Sequence, residues 1–583
     1  MSFFDLKNKY LTIKINELRE KHKHLLFFSL VFLVIIYPLV FIWQCGDLTD
    51  TGFHALVFQN FFSNSNLGEI GSLTFLSNLI GALWFKLFPN LGIIGLKFLY
   101  VIFLYGIISV LYLILRSIKI DSLFLIFTIF CGLAFQERAT EFTFSYDIAS
   151  WFFLISTGCL YLMAVNTKKP LLFLISGVLY SLACLSRLPN VVLVFLFPLI
   201  SLYAEVYKVN GHKYKLFLGA LKQYFLFVFG FFLAIGFFLI ILKQIKIYDA
   251  FINNLDFLNP PSNSIYGSTH SFSKLFKSYL NEIIDFIPHA IGTCFVMIFG
   301  SLIFNYSGFK NRLAVFITLF FLLFGLAFYI YFGFSYSSKI KFLVPAFCLL
   351  PLLYSIIIKN KFGLIAVVFI IVGLTQVAGT NTGFFLKFCY GFIVLLPISL
   401  MILAENRHVD FKNIKISTKP VMLIGTSVIL IFLIIGRLGW VYHVENGIFS
   451  RLKTIYPIEH DKMQYVYTTK SNSNYIKELC KGIKRHKGVN NSLFIFGPQL
   501  MFYYLTENAP PIKKIWISDN EVGEDELFFL INEGIKKSGK HPIIVDTKQE
   551  VLGKKGQEKL SEFLVSNNYK VVEEKQGYII WKN

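Results

Sequence analysis

The chain contains 583 residues, of which 55% are hydrophobic, 18% are aromatic and only 15% are charged. Soluble domains carry roughly 25% charged residues, so this composition excludes a single water-soluble core, and the abundance of Phe, Ile and Leu excludes intrinsic disorder. The 55 Lys and Arg residues outnumber the 34 Asp and Glu residues, which gives a net charge of +21. Because the cations flank long apolar runs, the excess indicates a membrane rather than a nucleic-acid partner.

Long apolar runs follow one another between residues 25 and 440. A helix crosses the hydrocarbon layer with about 20 apolar residues, because helical backbone satisfies its own hydrogen bonds in lipid. A further stretch, 72–88, is interrupted by Asn78, Gly81 and Lys86, and we interpret it as an interfacial or re-entrant helix. The sequence predicts about thirteen spans: 25–44, 92–115, 121–135, 148–165, 171–186, 190–206, 223–243, 287–305, 312–332, 342–358, 362–379, 388–403 and 421–440.

Basic loops predict the orientation, since cytoplasmic loops carry an excess of Lys and Arg. With a cytoplasmic N-terminus, 22 of the 34 basic residues in 1–440 lie in or beside cytoplasmic segments: 1–24, 116–120, 166–170, 207–222, 306–311 with Arg312, 359–361 and 404–420. We therefore expect a basic leader (1–24), a transmembrane module (25–440) and an extracytoplasmic domain (441–583). The exterior loops expected to carry the chemistry are 45–91, 136–147 and 244–286.

The last 140 or so residues have ordinary soluble composition. Helical patterns occur at 474–486, 523–538 and 556–567, and strand patterns occur at 492–497, 513–518, 542–546, 569–574 and 577–582. This alternation predicts a small α/β layer structure. No Gly-rich phosphate loop accompanies it, so we expect no catalysis there. The predicted fold class is a polytopic α-helical membrane protein of about 13 spans with a small C-terminal α/β domain.

The first exterior loop carries the first candidate site. Its residues Asp47 and Asp50 lie just outside the first span, and a helix over 50–62 would place Asp50 and His54 on one face. Phe53, Val57 and Phe61 would then form an apolar stripe on the opposite face. Partial desolvation at the membrane boundary makes a carboxylate a better base. The alternative is that both Asp residues cap the loop helix and stay hydrated.

The second exterior loop places Asp147 at the mouth of the fourth span, directly before an apolar run. In the same loop, Glu137 and Glu141 are four residues apart and could share a helix face, with Arg138 as a neutralising partner. The alternative for Glu137 and Glu141 is a solvated loop with an Arg–Glu pair. Asp147 is therefore the second acidic candidate.

Arg187 lies in the corner Ser186–Asn190 between the fifth and sixth spans, on the predicted exterior side. A cation there opposes the positive-inside bias and needs an anionic partner. A lipid headgroup phosphate and a substrate phosphate satisfy this need equally. Lys86, in the interrupted helix, is a second candidate, although snorkelling to the interface explains it nearly as well.

The loop 244–286 is the longest exterior loop within the transmembrane module. Loops of this length in compact domains are commonly functional or disordered. His270 is its candidate site residue, and an ordinary surface histidine is the alternative.

The order of these features resembles the GT-C superfamily of membrane glycosyltransferases, among them protein O-mannosyltransferases and aminoarabinose transferases. The shared pattern is an acidic first exterior loop, an acidic residue at the mouth of the fourth span, a basic corner between the fifth and sixth spans and a soluble domain after the last span. Where the family's first loop commonly reads Asp-Glu, this chain has Asp50-Thr51. The segment Ser492–Leu505 also resembles the start of the exterior domain in bacterial members.

The resemblance implies a bacterial inner-membrane enzyme that transfers a sugar from a polyprenyl-phosphate-linked donor to an extracytoplasmic glycan, lipid or protein. Its family roles map onto Asp50 as base, with Asp47 in reserve, Asp147 as second acidic residue and Arg187 as phosphate contact. A divalent metal held by Asp50 and Asp147 is an open question. Two other classes stay open: a lipid-linked-oligosaccharide transporter or flippase, and an O-antigen-polymerase-like protein. Few central charges and no internal repeat count against the transporter, and acidic rather than Arg-rich exterior loops count against the polymerase.

Overall fold

The computed structural model describes residues 22–44, 46–62, 73–118, 120–136, 142–208, 213–244, 248–255, 275–288, 290–292, 340–379, 384–388, 391–406, 408–411, 414–418, 422, 441, 450–487, 492–508, 510–511, 524–548 and 553–583. Three predicted spans, 287–305, 312–332 and 421–440, lie wholly or mostly outside these residues. The predicted strand 513–518 also lies outside them.

The predicted helical module is helical over the described residues. A 3-10 segment, Leu188–Leu196, leads into α8, and a short antiparallel hairpin of β1 (His408–Phe411) and β2 (Ile414–Ser417) lies in the predicted cytoplasmic segment 404–420. The helices are α1 (22–36), α2 (Asp50–Asn60), α3 (Phe75–Leu87), α4 (Gly92–Arg116), α5 (Ser122–Gln136), α6 (Tyr146–Thr167), α7 (Pro170–Ser186), α8 (Phe197–Lys208), α9 (Lys213–Gln244), α10 (Tyr248–Leu255), α11 (275–288), α12 (Ile340–Ile357), α13 (Gly363–Val377), α14 (Phe384–Phe388) and α15 (Phe392–Glu405).

Membrane-crossing length is reached by only some of these helices. In the described ranges, five are long and apolar enough to cross a membrane: His22–Leu39, Pro89–Arg116, Tyr146–Thr167, Leu188–Glu205 and Phe217–Gln244. Helices such as α5 and α7 are apolar but have 15 and 17 residues, which is short for a span. The chain is thus a polytopic helical membrane protein, and the predicted count of thirteen spans is not confirmed.

Two glycines allow α7 and α9 to pack backbone against backbone. A Cβ on Gly177 would lie 1.9 Å from the carbonyl oxygen of Phe227, and a Cβ on Gly230 would lie 2.1 Å from that of Leu174. Small residues permit this close approach between apolar helices, where dispersion contacts drive association. The packing fixes the end of α7 at which Arg187 follows the helix.

The two ends of the helical module collect different loops. Lys23 and Asp121 pair at 2.7 Å, so the start of α1 and the segment before α5 meet at one end. At the other end, the hydroxyl oxygens of Thr51 and Thr143 are 3.2 Å apart, which joins the first and second predicted exterior loops. The predicted topology assigns these loops to the same two ends. This agreement does not depend on which end faces the cytoplasm.

The C-terminal domain has the α/β layers that the sequence predicts. Its sheet has the order β5-β6-β8-β7, with β5 and β6 parallel and the other pairs antiparallel. Phe494 and Phe496 of β5 pack with Leu527 and Phe563 in a core beneath the helices. The elements are α16 (Ser450–Lys453), β3 (Tyr456–Pro457), β4 (Tyr467–Thr468), α17 (Lys470–His486), β5 (Leu493–Phe496), α18 (Met501–Leu505), α19 (Glu524–Ser538), β6 (Ile543–Asp546), α20 (Gly553–Ser566), β7 (Lys570–Lys575) and β8 (Tyr578–Lys582).

Candidate active site

The predicted first exterior loop turns around the carboxylate of Asp47, which is only 1% exposed. Its Oδ1 accepts hydrogen bonds from the amide of Thr49 (3.2 Å) and the hydroxyl of Thr49 (2.7 Å), and its Oδ2 accepts one from the amide of Thr51 (2.7 Å). Thr51 belongs to the first turn of α2, so Asp47 satisfies a helix N–H that has no intrahelical partner. Asp47 therefore caps the helix, as the alternative interpretation holds, but it is buried rather than hydrated.

Helix α2 is enclosed on all sides. The amphipathic pattern expected for it is wrong, because every residue from Thr51 to Phe58 is buried. The C-terminal domain supplies much of the cover: the Met501 amide donates to the Leu48 carbonyl at 3.0 Å. A Cβ on Gly52 would lie 2.2 Å from the same Met501 nitrogen, so only glycine permits this contact. The C-terminal domain thus forms one wall of the predicted first exterior loop.

His54 connects α2 to the start of α6. It is 4% exposed, its ring stacks on Phe58 at 5.8 Å between centroids, and it meets the Tyr146 ring edge-on at 5.5 Å. Tyr146 directly precedes Asp147, and Asp50 is half-buried one turn before His54 on the same helix. The structure therefore brings the first acidic loop against the segment that carries Asp147.

Asp147 and Arg187 belong to a closed ring of five side chains. Gln376 Nε2 donates to Asp147 Oδ1 at 3.0 Å, and Ser150 Oγ donates to Gln376 Oε1 at 2.8 Å. Asn190 Nδ2 donates to Ser150 Oγ at 2.7 Å, and Arg187 Nη1 donates to Asn190 Oδ1 at 3.1 Å. Arg187 Nε, 3.7 Å from Asp147 Oδ1, closes the ring. The four hydrogen bonds point the same way along the chain of side chains, from the Arg187 cation to the Asp147 anion. In such a chain each hydrogen bond polarises the next.

The ring is almost fully buried. Arg187 is 5% exposed and Asp147 7% exposed, while Ser150, Asn190 and Gln376 have no exposed surface. A guanidinium has five N–H donors, and two of them face Asp147 and Asn190. No described residue accepts from the other three. Arg187 is thus held in place by Asp147 and Asn190 while keeping donors for a further anion.

A second buried cation, Lys97 of α4, was missed by the sequence analysis. Lys97 is 1% exposed and its Nζ donates to the Gln44 carbonyl at 3.0 Å. From the other side, Arg451 Nη1 donates to Gln44 Oε1 at 2.8 Å, and Gln44 Nε2 donates to the Thr454 carbonyl at 2.9 Å. The helical module and the C-terminal domain thus both hold Gln44, three residues before Asp47. The available signal was a Lys inside an apolar run, which is rarely without a partner.

Lys86 does not join Arg187. Ser77, near the start of α3, donates to the Ser186 carbonyl at 3.2 Å and so lies beside Arg187. Lys86 is nine residues further along the same helix, a distance of about 14 Å. Its side chain is exposed, with Nζ 5.6 Å from the centroid of the Phe62 ring. This placement favours the snorkelling interpretation over a phosphate shared with Arg187.

The structure supports neither the remaining predicted site residues nor the predicted divalent metal. Glu137, Glu141 and His270 lie outside the described residues. Within the described part of the chain, no cluster of three His, Cys, Asp or Glu side chains could hold a metal ion. Asp147 accepts from N–H donors beside a guanidinium, whereas a divalent cation needs several oxygen ligands around it. The described donor set therefore does not fit the divalent metal considered for Asp50 and Asp147.

Comparisons with known proteins give structural neighbours only. No protein-family model matches the chain, and no curated protein matches its sequence. The apo crystal structure of ArnT from Cupriavidus metallidurans is similar over 97% of this chain and 98% of its own, at 10% identity and a TM-score of 0.46. ArnT from the same organism bound to undecaprenyl phosphate is similar over 96% and 97%, at 12% identity and a TM-score of 0.44.

ArnT is an aminoarabinose transferase of the GT-C family, so these neighbours belong to the group that the sequence resembles. With TM-scores below 0.5, their similarity supports no conclusion about the function of this chain. The functional proposal below depends on the side chains of the site itself.

Proposed function

We propose that the protein is an inner-membrane glycosyltransferase that moves a sugar from a polyprenyl-phosphate-linked donor to an extracytoplasmic acceptor. The observation that carries the proposal is the packing of the acidic first loop against Tyr146, which directly precedes Asp147 of the buried Asp147–Arg187 ring. The N-terminus would be cytoplasmic, and residues 441–583 would form the extracytoplasmic domain. The acceptor would be a glycan, a lipid or a protein.

Asp50 is the proposed general base. Its carboxylate would take the proton of the acceptor hydroxyl while the hydroxyl oxygen bonds to the anomeric carbon. The bond between that carbon and the phosphate oxygen would break, and polyprenyl phosphate would leave with the electron pair. The resemblance implies inversion at the anomeric centre. Phosphate is a good leaving group, so the reaction needs no general acid.

Asp50 suits this role better than Asp47. Both oxygens of Asp47 already accept hydrogen bonds from the loop and the first turn of α2, and hydrogen bonds to a carboxylate lower its basicity. Asp50 is half-buried at the first position of the helix. Asp47 would therefore fix the helix, and Asp50 would act on the substrate.

Arg187 is proposed to bind the donor phosphate with the N–H groups that the ring leaves over. A preorganised donor in a water-excluded site stabilises developing charge more strongly than it would in water, and this contribution is often the largest in catalysis. Asp147 would orient Arg187 and compensate its charge when no phosphate is bound. Because the ring is buried, water is excluded from it and the guanidinium of Arg187 is held in one position.

The test compares Asp50→Asn with Asp47→Asn in membranes supplied with a polyprenyl-phosphate sugar, with sugar transfer as the readout. We expect Asp50→Asn to reduce transfer by about 10²–10⁴-fold, the usual contribution of a general base, with normal thermal unfolding. Asp47→Asn should lower thermal stability, by about 1 kcal/mol for a lost helix cap, more than it lowers turnover of the folded protein. Full activity in both variants would disprove the assignment of the base. Movement of labelled lipid across the membrane without any sugar transfer would favour the transporter class instead.

A further inference from the structure

A polar edge of the C-terminal sheet lies close to the candidate active site. Strands β5 and β6 are parallel, with Phe496 paired to Asp546 at their shared carboxyl end. A Cβ on Gly497, whose φ is +150°, would lie 2.0 Å from Thr547 Oγ1, so only glycine brings these two strand ends together. In α/β sheets, ligands commonly bind in the crevice outside the carboxyl ends of parallel strands.

Three polar side chains from three elements lie near this edge. Gln499 follows β5, Asp546 ends β6, and Tyr475 of α17 donates its hydroxyl to Gln499 Oε1 at 2.6 Å. Burial raises the pKa of the Tyr475 hydroxyl, and the negative charge of nearby Asp546 raises it further. Gln499 is 6% exposed and Asp546 is 8% exposed. The cluster is therefore largely withdrawn from water.

Two hydrogen-bonding groups of this cluster are unused. Asp546 Oδ1 accepts from the Lys548 amide at 2.9 Å, but no described residue donates to Asp546 Oδ2. Likewise, no described residue accepts from Gln499 Nε2. Both atoms keep some contact with solvent, so a ligand can reach them although their side chains are mostly buried. Burial also raises the pKa of Asp546, opposed in part by the Lys548 amide.

The hydrogen-bonding properties of Asp546 Oδ2 and Gln499 Nε2 indicate which class of ligand suits this edge. Asp546 Oδ2 is an acceptor when ionised, and Gln499 Nε2 is only a donor. A hydroxyl group can serve either of them, because it donates one hydrogen bond and accepts others, and a ligand with several hydroxyl groups can serve both. An anion would use Gln499 but be repelled by Asp546, and an ammonium group would use Asp546 but leave Gln499 unpaired. The pair therefore suits a polyhydroxylated ligand.

The cluster is also within reach of the first exterior loop. Met501, two residues after Gln499, donates to the Leu48 carbonyl at 3.0 Å, and two residues of chain span at most about 7 Å. Gln499 is thus at most about 10 Å from the loop that carries Asp47 and Asp50. A ligand of a few sugar units can bridge this distance.

We propose that Asp546, Gln499 and Tyr475 form a subsite that binds the hydroxyl groups of a neutral carbohydrate acceptor. The assignment of the bound sugar as acceptor rests on the proposed function. The subsite makes the soluble domain part of substrate recognition. It also selects a glycan among the acceptor classes left open above.

Direct binding to the full-length protein in detergent tests the subsite without requiring transfer. The probes are the methyl glycosides of glucose, galactose, mannose and N-acetylglucosamine, followed by saturation-transfer-difference NMR. In Asp546→Asn, the remaining oxygen must still accept from Lys548, so the amide NH₂ replaces the free acceptor with a donor. We expect this variant and Gln499→Met each to weaken the best-bound glycoside at least about tenfold, with unchanged thermal unfolding. Glu562→Gln, which changes an exposed carboxylate in the same domain, should bind as the unsubstituted protein does.

The outcomes separate this subsite from the proposed function. Absence of glycoside binding to the unsubstituted protein, or binding unaffected by both variants, would overturn the subsite even if sugar transfer is observed. Binding that depends on Asp546 and Gln499, in a protein that transfers no sugar, would support the subsite and overturn the transferase. If transfer occurs, Asp546→Asn should raise the acceptor KM while the donor KM stays constant, and an unchanged acceptor KM would contradict the proposal.

Discussion

The two ends of the helical module both pair acids with bases, but they do so in different surroundings. At one end, the Lys23 and Asp121 side chains are each 46% exposed, and those of Lys361 and Glu405 are 46% and 44% exposed. At the other end, Arg187 and Asp147 are almost fully buried and share a ring of hydrogen bonds with three neutral side chains. The ion pairs at the two ends have the same formal charges and differ in the access of water to their side chains.

This difference separates charges that report topology from charges that are placed for chemistry. Exposed ion pairs contribute little to stability, with a median of about 0–1 kcal/mol. A buried pair has a large desolvation penalty and persists only with good geometry and additional hydrogen bonds. The buried end therefore retains a costly arrangement that folding alone does not require, which agrees with a functional role for the ring.

The largest effect should follow from breaking the ring on one side. Asp147→Asn or Arg187→Gln leaves one uncompensated buried charge, or the polar groups around it unsatisfied, and we expect a loss of about 3–5 kcal/mol in stability together with loss of sugar transfer. The double variant removes both charges and should regain much of the stability but no transfer activity. Thermal unfolding in detergent and a transfer assay provide the two measurements.

The matched control for the ring is Lys23→Met combined with Asp121→Asn at the exposed end. This double variant should change stability by no more than about 0.5 kcal/mol and leave transfer intact. If the double ring variant transferred sugar normally, the ring would be structural only. The contrast between the two ends would then have no bearing on function.

A smaller effect should follow from filling the contact between α2 and the C-terminal domain. Gly52→Ala places a Cβ 2.2 Å from a backbone nitrogen of Met501, and strain of this kind destabilises by up to about 3 kcal/mol. Gly236→Ala is the control, since nothing lies within 4 Å of its Cβ position in α9. Limited proteolysis should cleave the Gly52→Ala protein faster at the domain junction. Equal cleavage of both variants would contradict the described packing of α2.

The two lysines near the buried end provide the next comparison. Lys97→Met removes the Nζ donor from the Gln44 carbonyl, and an unsatisfied buried carbonyl costs about 1–3 kcal/mol. Lys86→Met should cost at most about 1 kcal/mol, because its exposed ammonium contacts only the Phe62 ring in the described structure. Thermal unfolding of both variants tests this order. Equal losses would mean that burial does not distinguish the two cations.

Much of this arrangement could be predicted from the sequence. Asp147 and Arg187 lie where the fourth span begins and the fifth ends, so hairpin topology alone places them at the same end of the module. Gln376 could not be predicted as their partner, because it carries no charge and lies 229 residues from Asp147 in an apolar run. Neutral polar residues inside spans commonly bond between helices, but the sequence does not say with which partner.

The burial of α2 and Lys97 was missed for related reasons. The face of α2 that carries Asp50 and His54 looks polar in sequence, yet α18, some 450 residues later, covers part of the helix. Lys97 lies within an apolar run, and its partners come from the loop before α2 and, through Gln44, from Arg451. Local patterns predict elements well, whereas contacts between distant segments decide which polar groups are buried.

The smallest effect belongs to the exposed end, in the loop before α5, and depends on pH. The hydrogen bond from Lys23 lowers the pKa of Asp121 below its ordinary value of 3.8, and partial burial opposes this only in part. A carboxylate with a lowered pKa in the folded state stabilises the protein above its unfolded pKa, and this stability is lost as the pH falls through the folded pKa.

The difference in unfolding temperature between the unsubstituted protein and Asp121→Asn should therefore be constant from pH 7 to about pH 5 and disappear as the pH falls through the folded pKa of Asp121, which lies below 3.8. The introduced carboxamide keeps an oxygen that can accept from the amide of Leu123, which isolates the loss of charge from the loss of the cap. Since this pair is exposed, the plateau should correspond to no more than about 0.5 kcal/mol. A plateau as large as that of the Asp147 variants would mean that water access does not separate the two ends of the molecule.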